Sequence, residues 1–208
     1  MIYRFLKRVR IFLYGQSGIA LIEFALWAPL LMMIFMGGVE LTRYIIVVQK
    51  AEKAAFIISD SVAQGTTAKT SDLDNIMTAA TQVMKPFSFG SNGFVIISSV
   101  TQTGTYSASN PPMVSWQYTS SGSNGSWTHA SRIGVSGQMA ALPGSLTLND
   151  KDNIIIAEIF YNFQPLISTN GVVSPATVYS VELYKPRLGT LTSLSALPFW
   201  LLTQGAWL

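Results

Sequence analysis

The chain has 208 residues, of which 49% are hydrophobic and only 11% are charged. Cysteine is absent, which excludes disulfide bonds and thiolate metal sites, and the single histidine, His129, is too little for a histidine-based metal or catalytic site. The formal net charge of +3 comes from the N-terminus, where Arg4, Lys7, Arg8 and Arg10 lie without an acidic residue among them. Because no basic stripe recurs downstream, we expect no nucleic-acid partner. The lack of cysteine and the single histidine lead us to expect no metal, and we also expect no cofactor.

An apolar run follows the basic segment 1–18. Residues 19–39 contain one ionisable side chain, Glu23. A helix rises 1.5 Å per residue, so about 20 residues span roughly 30 Å, the thickness of the hydrocarbon core of a bilayer. The pattern predicts a transmembrane helix over 19–39, with the basic segment on the cytoplasmic side. A carboxylate inside such a span costs a few kcal/mol unless it has a partner or lies near the headgroups.

The helical pattern continues beyond the span, over residues 40–64, but becomes amphipathic. Apolar residues recur at spacings of three and four and form one predicted packing stripe: Leu41, Tyr44, Val48, Ala51, Ala55, Ile58 and Val62. The charged residues are predicted to lie outside this stripe: Glu40, Arg43, Lys50, Lys53 and Asp60. Gly65 in "QGTT" is the expected stop. We therefore expect one long helix, half in lipid and half packed on a soluble domain.

Residues 65–208 predict a small α+β domain. "SDLDNIMTAATQVMKP" indicates a second helix, with Ser71 and Asp74 as a capping box and Pro86 after its end. Alternating or β-branched stretches predict an antiparallel sheet, with strands at 94–101, 113–119, 153–163 and 176–184. The apolar tail 197–208 is too short to span a membrane, and we expect it to pack on the domain or on a partner, with contact to the membrane surface as the alternative.

Three interpretations of the N-terminus remain open. It is an uncleaved signal anchor, a secretory signal peptide, or a processed leader. The apolar run is longer than a usual signal peptide and lacks an A-x-A site. Gly18, four apolar or small residues, Glu23 and Phe24 resemble the type IV prepilin processing motif. That resemblance implies cleavage between Gly18 and Ile19 by a prepilin peptidase. Glu23 would then pair with the new amine of Ile19, which offsets the cost of its burial only on assembly.

A longer stretch, "IEFALWAPLLMMIFMGGVELTR", resembles the start of TadE-like proteins, which are minor pilins or pseudopilins of the Tad (tight adherence, Flp-type) pilus system. The matching positions are Glu23, Phe24, Ala25, Leu26, Pro29, Gly38, Glu40, Leu41 and Arg43. "AEIFYNFQPL" and "YKPR" resemble the final strands of that family less specifically. The resemblance is close over residues 15–64 and thin over 87–150.

The resemblance implies a single-pass protein of the bacterial inner membrane whose domain lies in the periplasm or enters the pilus. The implied partners are the prepilin peptidase, other minor pilins, the major pilin and inner-membrane lipid. Two alternatives are a permanently anchored assembly factor, and an adhesive tip module that uses the loops at 106–130. Those loops carry Tyr106, Trp116, Tyr118 and Trp127, for which packing in the core or at the sheet edge is the other interpretation.

We expect no enzyme. No serine lies in a G-x-S-x-G context, and no phosphate-binding loop occurs. "NDKDN" at 149–153 resembles a calcium loop only superficially, because the glycine is missing and Tyr161 stands where the last glutamate would be. A solvated turn before a strand is the interpretation we favour there, and His129 is expected in a loop.

Overall fold

The computed structural model describes residues 18–119, 128–144, 146–166 and 174–195. The elements in chain order are α1 (Ile19–Ala63), β1 (Ala68–Lys69), α2 (Thr70–Val83), the short α3 (Phe89–Asn92), β2 (Gly93–Thr101), β3 (Met113–Thr119), β4 (Asn153–Phe163), β5 (Ala176–Tyr184) and β6 (Leu194–Ser195). The α+β class is confirmed, with a long N-terminal helix before a small domain. The basic residues before position 18, Trp127 and the tail 197–208 lie outside the described residues.

The main sheet has four antiparallel strands in the order β3-β2-β4-β5. Strand β4 lies inside it, with Ile97 of β2 opposite Ala157 on one side and Glu182 of β5 opposite Ala157 on the other. The short strands β1 and β6 form a separate parallel pair. The four predicted strands are confirmed, and β2 begins one residue earlier than expected, at Gly93.

Helix α1 is continuous over 45 residues, as predicted. Residues 40–63, here called the docked half, pack on one face of the sheet and against α2. Their buried side chains are mostly small, which lets the helix approach the strands closely: Val47, Ala51, Ala54, Ala55, Ile58, Ser59, Val62 and Ala63. Residues 19–39, the exposed half, extend away from this core.

The predicted packing stripe of α1 was partly wrong. Leu41 is 50% exposed, whereas Glu40, expected on the polar side, is only 3% exposed. The rest of the stripe is largely confirmed, since Ala51, Ala55, Ile58 and Val62 are buried. Glu40 and Leu41 lie four and three residues before Tyr44, so either fits the helical spacing, and the packing on the sheet buries Glu40.

The capping box predicted for α2 was also wrong. The helix begins at Thr70 and has no side-chain cap at Lys69. Asp74 instead accepts a hydrogen bond from the hydroxyl of Tyr118 at 2.5 Å. At the other end, the ammonium group of Lys50 on α1 donates to the carbonyl of Val83 at 3.0 Å, so α1 satisfies a terminal carbonyl of α2.

The second face of the sheet is covered by residues 128–144 and 146–148, here called the covering segment, which form no helix and no named strand. A second core lies beneath this segment: Val100, Val114, Ile133, Ala140, Leu148, Ile154 and Ile156. His129 lies in the segment, as expected, and stacks on Phe160 with ring centroids 4.1 Å apart. Strand β4 is therefore buried on both faces, which explains its almost unbroken apolar sequence.

Candidate functional site

The exposed half of α1 is the largest unburied apolar surface among the described residues. Leu21 and Leu26 are each 74% exposed, and Phe24 is 67% exposed. An 18-residue window of this helix has a mean hydropathy of 2.2, and none of it is buried within the chain. By length and composition it is the one described helix that could cross a membrane, although signal sequences share these properties. Such a surface requires lipid or protein partners.

The predicted processing and pairing residues lie at the start of this helix. Gly18 occupies the N-cap position and provides no side-chain cap. Ile19 is the first helical residue, and Glu23 lies four residues on, so the two share one face of α1. Glu23 is exposed and makes no hydrogen bond or ion pair within the described ranges. Pro29 lies within α1, and the helix continues through it.

Glu40 and Arg43 attach α1 to the end of β4. One Glu40 carboxylate oxygen accepts a hydrogen bond from the backbone N–H of Leu166 at 2.7 Å and one from the Arg43 guanidinium at 3.2 Å. The Arg43 guanidinium lies 5.7 Å from the ring centroid of Phe163, and Tyr44 meets the same ring edge-on at 5.3 Å. We call these contacts the lower attachment. Glu40 and Arg43 therefore act within the chain in this structure.

An upper attachment holds the other end of the docked half. The Arg187 guanidinium forms an ion pair with Asp60 at 2.9 Å, and its backbone N–H donates to the carbonyl of Ala63 at 3.0 Å. The ring of Phe56 meets Tyr184 edge-on at 5.6 Å. Glu40 and Ala63 are about 34 Å apart along the helix axis. Two attachments at this separation hold the helix and the domain together as one unit.

Removing the Glu40 carboxylate should destabilise the lower attachment. Glu40→Ala leaves the Leu166 N–H and the Arg43 guanidinium without their acceptor, and we expect a loss of about 2 kcal/mol in the free energy of unfolding. Glu52→Ala, at an exposed position on the same helix, is the matched control. Thermal unfolding of the detergent-solubilised protein measures both variants. Equal midpoints for the two would show that the attachment contributes nothing.

A second buried carboxylate, Glu158, lies on the opposite face of β4 and is fully buried. One of its oxygens accepts hydrogen bonds from the backbone N–H of Arg132 at 2.8 Å and from the hydroxyl of Tyr179 at 3.1 Å. The other accepts a short hydrogen bond from the Ser131 hydroxyl. The Arg132 guanidinium lies 4.0 Å from the centroid of the Tyr179 ring. This carboxylate therefore ties the covering segment to the sheet.

The environment of Glu158 also affects Tyr179. Burial, followed by the negative charge of Glu158 and its hydrogen bond, raises the pKa of the Tyr179 hydroxyl well above its ordinary value. Sequence reasoning missed this network. The available signal was the single charged residue in "NIIIAEIFYNF", because an acidic side chain in a strand buried on both faces must have hydrogen-bond partners.

The other predicted contact residues are mostly structural. Trp116 is 5% exposed and donates its indole N–H to the carbonyl of Leu191 at 2.7 Å, which confirms the packing interpretation for this residue. Tyr106 is 51% exposed. In the 149–153 turn, the hydrogen bond from Lys185 lowers the pKa of the Asp152 carboxyl. The described residues contain no group of three or more histidine, aspartate or glutamate side chains placed to hold a metal.

The N-terminal part of the chain is similar to a known protein family. A family model described as TadE-like protein matches residues 18–57. Residues 18–57 are thus similar to the TadE-like family, and we call them the TadE-like segment. The match begins at Gly18 and includes Glu23, Pro29, Glu40 and Arg43. No curated protein and no solved structure matches the chain. The TadE-like segment thus comprises the exposed half of α1, its share of the lower attachment and much of the docked half, whereas the sheet lies outside the match.

Proposed function

We propose that this protein is a minor pilin or pseudopilin of the Tad pilus system. The TadE-like match associates the chain with that system. The observation that carries the proposal is that this match begins at Gly18, directly before a helix whose exposed half is apolar and bears Glu23 on its second turn. In the proposed topology the N-terminus is cytoplasmic, residues 19–39 cross the inner membrane, and the domain lies on the periplasmic side.

A prepilin peptidase would remove residues 1–18 and create an α-amino group on Ile19. The amine and the Glu23 carboxylate differ by four positions, so an amine can approach the carboxylate from the same chain or from a neighbour. In a low-dielectric environment this pairing offsets part of the cost of burying each charge. The exposed half of α1 would then pack against other minor pilins and the major pilin, and the two attachments would carry the domain with it.

The processing step has a direct test. Mass spectrometry of protein purified from cells with an active prepilin peptidase should show a chain that begins at Ile19. Gly18→Ala should leave residues 1–18 on nearly all molecules, because the peptidase requires the glycine. A methyl group at Gly18 meets no atom within 4 Å in the described structure, so the fold itself tolerates the change.

Gly38→Ala is the matched control, because a methyl group there also meets no atom within 4 Å. This variant should be processed like the wild type. If cells contained only the full-length protein, the pilin proposal would be wrong and the N-terminus would be an uncleaved signal anchor. Processed protein that is present in membranes but never in sheared pili would indicate a permanently anchored assembly factor.

A further inference from the structure

The apolar surface of α1 does not end at residue 39, where the predicted span ends. Leu41, Ile45 and Ile46 are 50%, 46% and 37% exposed. Glu40, the first charged residue after Glu23, is buried and bonded to Arg43, whose side chain is 28% exposed. Lipid or solvent around α1 therefore meets a mainly apolar surface from Ile19 to Ile46.

The length of this surface matches a whole bilayer rather than its hydrocarbon core. At about 1.5 Å per residue, the run from Ile19 to Ile46 rises about 40 Å. A bilayer is about 30 Å thick in its hydrocarbon core and about 40–45 Å thick with its headgroup layers. A helix that crosses the core with residues 19–39 therefore places Leu41 about 3 Å beyond the core, within the headgroup layer on the side of the domain. Ile45 and Ile46 then lie about 9–10 Å beyond the core, at the outer edge of that layer.

Part of the domain lies at the same level. The backbone N–H of Leu166 donates to Glu40 at 2.7 Å, so the lower attachment holds this residue beside the first turn of the docked half. The Leu166 residue is nevertheless 68% exposed, and none of the described residues covers it. An apolar side chain of the domain is thus presented at the depth where the helix leaves the hydrocarbon core.

We propose that Leu41, Ile45, Ile46 and Leu166 form a membrane-contact surface, here called the basal patch, which lies among the lipid headgroups on the domain's side. This proposal rests on the proposed crossing by residues 19–39. Lipid is the occupant because the patch is continuous with the apolar surface of the span. The Glu40–Arg43 pair also removes the free carboxylate that would otherwise need water at this depth. The partly exposed Arg43 guanidinium is placed to contact lipid phosphate groups.

The absence of cysteine allows a test with single labelled positions. Leu166→Cys carries an environment-sensitive fluorophore in full-length protein reconstituted at low density into phosphatidylcholine vesicles. Lipids with a spin label near the headgroup quench fluorophores at that depth. Leu188→Cys is the matched control, since Leu188 is 65% exposed and follows Arg187 of the upper attachment. Phe35→Cys, 66% exposed in the span, reports the crossing itself with lipids labelled in the acyl chain.

We expect quenching at Leu166 to be at least about threefold stronger than at Leu188, together with strong quenching at Phe35 by the acyl-chain label. Equal, weak quenching at Leu166 and Leu188 with Phe35 still quenched would overturn the basal patch but leave the proposed function intact. Loss of quenching at Phe35 would overturn both the proposed membrane crossing and the basal patch.

The number of protein molecules per vesicle tests whether lipid or a second copy covers the patch. Headgroup quenching at Leu166 that is strong at low protein density and disappears as the density rises would support lipid as the occupant in sparse membranes. Weak quenching at Leu166 at every density, together with fluorophore emission typical of an apolar environment, would indicate a second copy instead and overturn the proposal.

Discussion

Glu158→Ala is expected to lower the free energy of unfolding by about 3 kcal/mol, the largest stability effect of any single change proposed for this domain. The substitution removes one acceptor from three donors at once: the Ser131 hydroxyl, the Arg132 N–H and the Tyr179 hydroxyl. Because Glu158 is fully buried, water cannot replace the lost carboxylate unless the covering segment opens. The loss should therefore be concentrated in that segment.

Thermal unfolding of the full-length protein in detergent measures the overall effect, and hydrogen exchange measures the local one. Amides of residues 128–144 should exchange faster in Glu158→Ala, whereas those in the docked half of α1 should change little. Glu182→Ala on β5 is the control, since this glutamate is partly exposed and forms no hydrogen bond or ion pair within the described ranges. Indistinguishable midpoints for the Glu158 and Glu182 variants would show that the network does not hold the segment.

Glu23→Ala should reduce incorporation of the processed protein into pili by about tenfold or more, with no loss of domain stability. The carboxylate lies on the exposed half of α1, away from every residue of the docked core, so folding does not require it. Membrane insertion should even become easier, because the substitution removes an ionisable side chain from the proposed membrane-spanning helix. Glu23→Gln should assemble as poorly, because it keeps the size of the side chain but cannot neutralise the amine of Ile19.

The comparison requires equal amounts of processed protein in the wild type and in both variants. Pilus yield and co-purification of other pilins are then measured. Glu52→Ala, an exposed glutamate of the docked half, serves as the control and should assemble like the wild type. Wild-type assembly in both Glu23 variants would mean that the carboxylate stays solvated among the cytoplasmic headgroups and that the pairing model is wrong.

The sequence by itself determined the two long helices and the four strands of the main sheet, because each is encoded by short-range periodicity, whereas β1, α3 and β6 are too short to show a period. Spacings of three and four residues predicted α1 as one helix, and the structure extends it over Ile19–Ala63. Runs of β-branched and aromatic residues predicted β2 to β5 to within one residue. The TadE-like motif likewise depends on residues close together in the chain, from Gly18 to Arg43, so it could be recognised without any tertiary contact.

The tertiary structure alone decided which of two allowed positions is buried at the lower end of α1 and which charges are paired. Glu40 and Leu41 are neighbours on a helix whose period accommodates either as a buried position, and only the approach of Leu166, 126 residues later in the chain, selects Glu40. Glu158 is buried because the covering segment, which has no periodic pattern, folds over the second face of the sheet. Contacts between residues so far apart carry no local signature, because their free energy depends on the three-dimensional arrangement that brings the partners together.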